Sequence, residues 1–415
     1  MEVKNENTTP KTIPNDVDKE QKGINVPNLR FNQFHDSHWI KTSLKDVAKK
    51  INAKNKNKFC KNVISNSAQH GLIRQIDYFD KEIAQNESIE NYTIINKGDF
   101  VYNPRKSIEA PYGPVNIYNY DEPGIVSPLY LCFSIQNINK NFLHYYFKSK
   151  AWHRFIYLYG DSGARHDRVS IKDEVFFSQQ LSIPTSSDEI EKITDLLFQV
   201  EQRIGTQSKI IEDLESLKKS IINHYLYSNS SEKIMTLGEI INQVNNRNSK
   251  NNIQNVLSVN NKLGFIPQNE QFEDHEVASE NKTNYKIITQ YDFAYNPARI
   301  NVGSIAMLSE NDTGIISPMY ICFNVNKNII LPSYLDIFIH SSKFLTEVNK
   351  RLEGSVRLCL SFEGLSSIQI PVPTLQKQYK IINDVTSLIK KINIETKLLQ
   401  KLKEQKKYLL SNMFI

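Results

Sequence analysis

The stretch Gly124-Ile125-Val126-Ser127-Pro128-Leu129-Tyr130-Leu131-Cys132-Phe133 returns later in the chain as Gly314-Ile315-Ile316-Ser317-Pro318-Met319-Tyr320-Ile321-Cys322-Phe323. The two copies lie 190 residues apart, the difference between 314 and 124. Upstream, Leu44 to Pro104 matches Leu237 to Pro297 at a constant separation of 193, the difference between 237 and 44 and again between 297 and 104. Within it Asn62-Val63-Ile64-Ser65 meets Asn255-Val256-Leu257-Ser258, Gly71 meets Gly264, Phe79 meets Phe272, and Tyr102-Asn103-Pro104 meets Tyr295-Asn296-Pro297. The shift between the two registers places a length change in a loop. The spacing far exceeds the ~20–50 residues of a stacked repeat, so a whole domain has been duplicated.

Duplication suits the length, since 415 residues and 48.0 kDa are more than one hydrophobic core usually supports. With 40% hydrophobic and 23% charged residues and a mean hydropathy of -0.46, the composition is that of a soluble globular protein. No apolar run approaches the roughly 18 residues that cross a bilayer. Residues 1–23 are polar and lack the apolar stretch of a secretion signal; they read as a disordered leader, and a cytoplasmic address is expected. Cys60, Cys132, Cys322 and Cys359 have no CxxC spacing, and His35 and His38 have no third ligand nearby, so neither a metal site nor a disulfide framework is expected. A net charge of +6 permits nucleic-acid binding without requiring it.

The predicted fold class is α+β: two similar mixed domains alternating with two long helices. The boundaries are 24–185 for the first domain, 186–228 for the first helix, 229–373 for the second domain and 374–415 for the second helix. In the domains, short β-branched and aromatic runs such as Tyr92-Thr93-Ile94-Ile95 alternate with Asn, Asp, Gly and Pro clusters. After Ile183-Pro184, Ser186 and Glu189 form a capping box, and an apolar seam runs through Ile193, Leu197, Val200, Ile204, Ile211 and Leu214, broken by Gln207. After Ile370-Pro371 the counterpart runs through Val385, Ile389, Ile392, Leu399 and Leu402, with Thr396 in the seam.

A helix from Asp188 to Tyr225 would be ~57 Å long at 1.5 Å per residue, too long to bury itself in one small domain. Its apolar stripe needs a partner. A coiled coil that only spaces domains is the plain alternative, but two helices of equal period and similar length pair best with each other. If they run antiparallel, a direct repeat closes with one domain at each end under a pseudo-two-fold axis. Duplex DNA offers a matching symmetry, its equivalent grooves recurring every ~34–36 Å. Because the two domains differ in sequence, each would read a different half-site.

Three sets of residues suit DNA. Lys54, Lys56, Lys58 and Lys61 crowd one loop, and Arg247 and Lys250 occupy its counterpart; such side chains release condensed counterions on binding phosphate, although a solvated basic surface would look the same. Asn103, Arg105 and Lys106 follow the first Tyr-Asn-Pro region, and Asn296 and Arg299 the second. Arginine grips guanine and asparagine pairs with adenine, while either asparagine would equally cap its own turn. Third come Gly163-Ala164-Arg165 with Arg168, and Gly354-Ser355-Val356-Arg357, where small residues let backbone approach a phosphate. The 20 Tyr and 20 Phe are expected to fill cores.

No catalytic set is legible. A phosphate-binding G-x-x-x-x-G-K-[ST] loop and a Gly-rich dinucleotide loop are both missing from the sequence. Asn103-Pro104 and Asn296-Pro297 lack the second Pro and the aromatic of an adenine methyltransferase motif.

With these residues in view, the chain resembles the specificity subunits of type I restriction-modification enzymes. The resemblance covers residues 24 to 415: Val26-Pro27-Asn28-Leu29-Arg30-Phe31 with Trp39, two target-recognition domains, the Tyr-Asn-Pro and Ser-Pro-Leu/Met-Tyr blocks, and a helix after each Ile-Pro. The family's usual Glu-Gln after the Pro-rich junction reads Glu189-Ile190 and Lys377-Gln378 here. The resemblance implies a non-catalytic subunit that binds double-stranded DNA and no cofactor of its own. It implies two methyltransferase partners that use S-adenosylmethionine, and restriction partners that use ATP and Mg²⁺ to cut DNA. The helices would set the target's spacer and dock the methyltransferases, with no membrane involved. The competing classes are a self-contained DNA-modifying enzyme and a coiled-coil adaptor that binds only protein.

Overall fold

The computed structural model describes residues 26–78, 89–162, 166–227, 232–268, 281–309, 313–354 and 357–415. The expected leader, 1–23, lies outside the described residues. The chain divides into two compact units, residues 1–205 with 400–415 and residues 206–399, so each long helix contributes to both. Among the described residues no helix is long and apolar enough to cross a membrane.

The first unit runs β1 (Trp39–Ser43), α1 (Leu44–Val47), β2 (Ala48–Lys50), β3 (Ile64–Ser67), β4 (Gly71–Arg74), α2 (Gln75–Tyr78), β5 (Thr93–Ile95), β6 (Phe100–Tyr102), β7 (Val115–Ile117), β8 (Gly124–Val126) and β9 (Leu131–Ile135). It continues through α3 (Lys140–Lys148), α4 (His153–Tyr159), β10 (Asp161–Ser162), β11 (Val169–Ser170), α5 (Asp173–Phe177), β12 (Gln180–Pro184) and the start of α6 (Ser187–Tyr227). Strands β2, β9, β6 and β7 form one antiparallel sheet in that order. Hairpin β3–β4 and pair β5–β8 meet through a parallel bridge between Val63 and Ile125. Strand β1 closes the domain against β12, which leads into α6.

The second unit repeats this plan with β13 (Lys233–Thr236), β14 (Ile241–Val244), β15 (Val256–Asn260), β16 (Gly264–Pro267), β17 (Lys286–Ile288), β18 (Phe293–Tyr295), β19 (Ile305–Met307), β20 (Gly314–Ile316) and β21 (Ile321–Val325). Then come α7 (Pro332–Ile339), α8 (Ser342–Asn349), α9 (Phe362–Ser366), β22 (Gln369–Val372) and the C-terminal helix α10 (Leu375–Asn412). Sheet β14-β21-β18-β19 has the order of its counterpart, β16-β15-β20-β17 is the continuous form of the bridged hairpins, and β13 closes on β22.

The duplication holds at the level of register. Phe100 faces Phe133 across β6 and β9, and Phe293 faces Phe323 across β18 and β21. Both ring pairs stack, at 5.5 and 5.1 Å between centroids, and all four rings are buried. Burying each such ring contributes roughly 1.5–3 kcal/mol, so the same apolar positions select the same pairing twice. Gly71 and Gly264 turn their hairpins at φ +73° and +72°, a backbone region that only glycine enters without strain. Where β8 and β20 run parallel beside the hairpin, a Cβ on Gly124 would come within 2.6 Å of Ile64, and one on Gly314 within 2.4 Å of Leu257.

In the second unit Gln207 Nε2 donates to Glu395 Oε2 at 2.6 Å, and Tyr225 donates to Asp384 at 2.7 Å. Numbers rise on one helix as they fall on the other, so α6 and α10 run antiparallel. In the first unit Lys406 pairs with Glu201 at 2.6 Å, and Ile193, Leu197 and Val200 share a core with Leu409, Met413 and Phe414. Of the other predicted seam residues, Val385, Ile392 and Leu402 are buried, Ile204, Ile211, Leu214 and Leu399 are half-buried, and Ile389 is 41% exposed.

Two details of the seam differ from expectation. Gln207 does not interrupt it but lies inside, where its amide is matched by the Glu395 carboxylate and main-chain carbonyl. Thr396 is exposed, its hydroxyl bonded to the Ile392 carbonyl one turn back, while Glu395 takes the inner position and bonds Gln207. A single buried polar pair fixes helix register at some cost in stability. Removing the carboxylate with Glu395→Ala leaves the Gln207 amide with the main-chain carbonyl as its acceptor in this pair and should lower stability. Denaturant titration of the full chain checks this, and an unchanged midpoint would contradict it.

Candidate nucleic-acid interface

The lysine-rich loop after β2 is a folded object built round one side chain. Asn55, 1% exposed, donates to the Cys60 carbonyl at 2.8 Å and accepts from the Cys60 N–H at 3.1 Å. In the second unit Asn248, also 1% exposed, does the same to Ile253 at 2.9 and 3.3 Å. Lys58 and Asn251 both take positive φ, 52° and 49°, so the loops share a backbone path. Each asparagine thereby satisfies a turn that would otherwise leave polar groups unpaired, and turns its charged neighbours outward.

Lys56 and Lys61 are exposed, Lys54 reaches Thr93 Oγ1 at 3.0 Å, and Lys58 pairs with Glu90 at 2.7 Å. In the counterpart Lys250 is exposed and Arg247 donates to Asn284 Oδ1 at 3.0 Å. The loops are therefore presented alike, with part of their charge already engaged.

A second cluster forms where the Tyr-Asn-Pro segment leaves β6. Arg105 bridges Arg168 in antiparallel fashion, and Lys106 N–H donates to the Asp167 carbonyl at 2.8 Å, bringing residues 63 positions apart in sequence to one place. Arg105 and Arg168, with Ser127, Leu129, Tyr130 and the Ser65–Ser67 strand, line a cavity of about 440 Å³. Among the described residues neither Arg105 nor Arg168 is in an ion pair. Burial pushes the Tyr130 phenol above its ordinary pKa, while a backbone hydrogen bond at Asn66 and the charges of Arg168 and Arg105 oppose that shift. Two guanidinium groups at a polar cleft are suited to phosphate or to the O6 and N7 edge of guanine.

Asn103 and Asn296 hold turns. Asn103 Oδ1 accepts from Arg105 N–H at 3.0 Å, and Asn296 Oδ1 accepts from Ala298 N–H at 3.1 Å. Arg299 is exposed at the start of a short turn, Ile300–Val302, closed by Gly303 at φ +91°. Arg357 is exposed beside Gly354, whose φ of +119° and close approach to the Arg357 carbonyl admit no side chain. Arg165 lies outside the described residues.

Two buried polar arrangements escaped the sequence reading. Glu189, fully buried, receives two hydrogen bonds from Arg30 at 2.6 and 2.7 Å and others from Trp39 Nε1 and Ser37 Oγ, both at 3.1 Å. The expected capping box is half present: Ser186 Oγ accepts from Glu189 N–H at 3.4 Å, but the carboxylate turns to Arg30 instead. In the second unit Gln378, also fully buried, accepts from Leu331 N–H and donates to the Ile329 and Pro373 carbonyls. The residue of the Glu-Gln pair that each copy keeps, Glu189 in the first and Gln378 in the second, is thus the anchor of its helix start. Leu29 N–H also bonds the Asn412 carbonyl at 2.9 Å, tying the opening segment to the end of α10.

The second arrangement runs inward from the cleft. Asn103 Nδ2 donates to the Asn66 carbonyl, Asn116 Nδ2 to Asn66 Oδ1 at 2.6 Å, and Lys148 Nζ to Asn116 Oδ1 at 2.6 Å. Burial, with Lys406 nearby, brings the Lys148 ammonium down to about 8. No cluster of three His, Cys, Asp or Glu suited to a metal ion occurs among the described residues. The thiols of Cys132 and Cys322, at equivalent positions, are pushed up to about 12 by burial.

No family model matches the chain. Over 192 residues it is 26% identical to the type I restriction enzyme HindI specificity subunit of Haemophilus influenzae. That match takes in 45% of this chain and 41% of the relative, so the chain spans about two fifths of the curated relative it matches. Among solved structures, the type I restriction-modification S subunit from M. genitalium aligns with a TM-score of 0.54 and 16% identity, over 94% of this chain and 99% of that one. A chain from a study of complex assembly and conformational transition in a type I system aligns at 0.55 with 12% identity, over 90% and 96%. The fold is that of the type I specificity subunits.

Proposed function

We propose, taking that shared fold as the premise, that the chain is a non-catalytic DNA-reading subunit of a type I restriction-modification complex. Each unit reads one half of a bipartite, asymmetric target in double-stranded DNA. The lysine loops hold phosphates and fix the register on the duplex, while Arg105 and Arg168 in the first unit and Arg299 in the second approach base edges. Helices α6 and α10 set the unread spacer and dock two methyltransferase subunits, to which restriction subunits are joined. S-adenosylmethionine, ATP and Mg²⁺ belong to those partners in this reading.

The observation that carries the proposal is the repetition itself: one framework built twice with matching strand register, Asn-centred loop and Asn-Pro turn, but with different exposed side chains. A scaffold repeated under varied tips suits two different half-sites. Exchanging residues 44–183 for the corresponding domain of another specificity subunit tests it, with methylated positions mapped in cells carrying the complex. One half of the target should change and the other persist; a change in both halves would refute modular reading. A protein-only adaptor would instead show no salt-dependent affinity for duplex DNA.

A further inference from the structure

We propose that the residue at the tip of the repeated Ser-Pro-X-Tyr turn, Leu129 in the first unit and Met319 in the second, packs on the C5-methyl group of a thymine in the half-site its unit reads. The inference rests on the DNA-reading function proposed above and assigns it a specificity-determining side chain in each unit.

The turn is the same rigid device in both copies. Tyr130 N–H donates to the Ser127 carbonyl at 3.0 Å, and Tyr320 N–H donates to the Ser317 carbonyl at 3.1 Å. Pro128 and Pro318 sit at the second turn position, where their fixed φ pre-forms the bend. Ser127 Oγ also accepts from Leu129 N–H at 3.3 Å. The third position is thus aimed by backbone geometry, and it is the one position of the four at which the copies differ.

What it presents is apolar and in the open: Leu129 is 57% exposed and Met319 63%. A single exposed leucine is ordinary on a protein surface and needs no explanation. Two apolar tips on equivalent turns, each beside polar or cationic groups, ask for one. Leu129 lines the cavity that holds Arg105 and Arg168. Met319 Sδ lies 3.9 Å from the Asn296 amide, and the Lys286 ammonium donates to the Tyr320 carbonyl at 2.7 Å. In the major groove of B-DNA the apolar feature on the base edges is the thymine methyl, set among hydrogen-bonding groups that the neighbouring side chains match. A stiff branched tip in one unit and a flexible thioether in the other fit methyl groups in two unlike contexts.

The test uses the full chain assembled with its modification subunits and a target defined by methylation mapping. Each thymine of each half-site is replaced in turn by uracil, which removes the methyl and nothing else. For the unaltered chain one uracil position in each half-site should weaken binding by about fourfold, the worth of one buried methyl. In Leu129→Ala that penalty should vanish in the first unit's half-site alone, and in Met319→Ala in the other alone. Both side chains are exposed, so neither variant loses core packing. The proposal is overturned if no uracil position matters while the target is still read. It is also overturned if the penalties survive in the alanine variants, or if those variants weaken binding to all sequences alike, as loss of a minor-groove wedge would. Failure to find any DNA target would remove the underlying function, a result distinct from all of these.

Discussion

Glu189→Ala is expected to remove about 3–5 kcal/mol of stability from the first unit, because it leaves a buried guanidinium without its counter-charge. The Arg30 side chain is 4% exposed and Glu189 fully buried, and the carboxylate accepts four hydrogen bonds from three residues. Glutamate at this point joins the opening segment, strand β1 and the first turn of α6. Taking the pair out together, as Arg30→Met with Glu189→Leu, should recover much of the loss, since a buried ion pair costs desolvation that an apolar pair does not. Denaturant titration of the full chain measures both. A loss below about 1 kcal/mol for Glu189→Ala would mean that Arg30 regains solvent on its own.

Binding is expected to suffer most from Arg105→Ala combined with Arg168→Ala. If each guanidinium reads a base edge at about 1–3 kcal/mol, the pair should lower affinity for the target by about 30-fold or more, with discrimination lost in one half-site only. Arg299→Ala should act on the other half. Lys56→Ala with Lys61→Ala, by contrast, should weaken all sequences alike and reduce the slope of log K against log salt by about two. Competition binding with half-site variants separates the two patterns. A uniform loss from the arginine variant would reassign those residues to the phosphate backbone.

Much of the scaffold was legible because it depends on local pattern. Matching apolar positions in Leu44–Pro104 and Leu237–Pro297 imply equal strand register, and Phe100–Phe133 and Phe293–Phe323 pair accordingly. The alternating three- and four-residue apolar steps mark α6 and α10 as long helices. The polar contacts were not legible, because each depends on a partner far away in the chain. Glu189 reads as half of a capping box until Arg30, 159 residues earlier, is brought beside it. Gln207 reads as a break in the seam until Glu395 supplies its acceptor, and Thr396 reads as the seam residue because period alone cannot choose between neighbours. Arg105 and Arg168 come from separate sequence blocks, and only the folding of the segment after β6 against β11 makes them one cluster. For the asparagines of the Asn-Pro turns the local rule was the better guide, since their side-chain oxygens hold the turn.

The central claim is that one chain reads two half-sites at a separation fixed by its paired helices. The direct measurement is to insert one heptad into α6 and one into α10 at facing positions, keeping the seam in phase, and to map the methylated sites of the resulting complex. Seven residues lengthen a helix by about 10 Å, close to the rise of three base pairs. Unchanged half-sites separated by about three more base pairs is the predicted result. Methylation at the original spacing, or of a single contiguous site, would contradict the account.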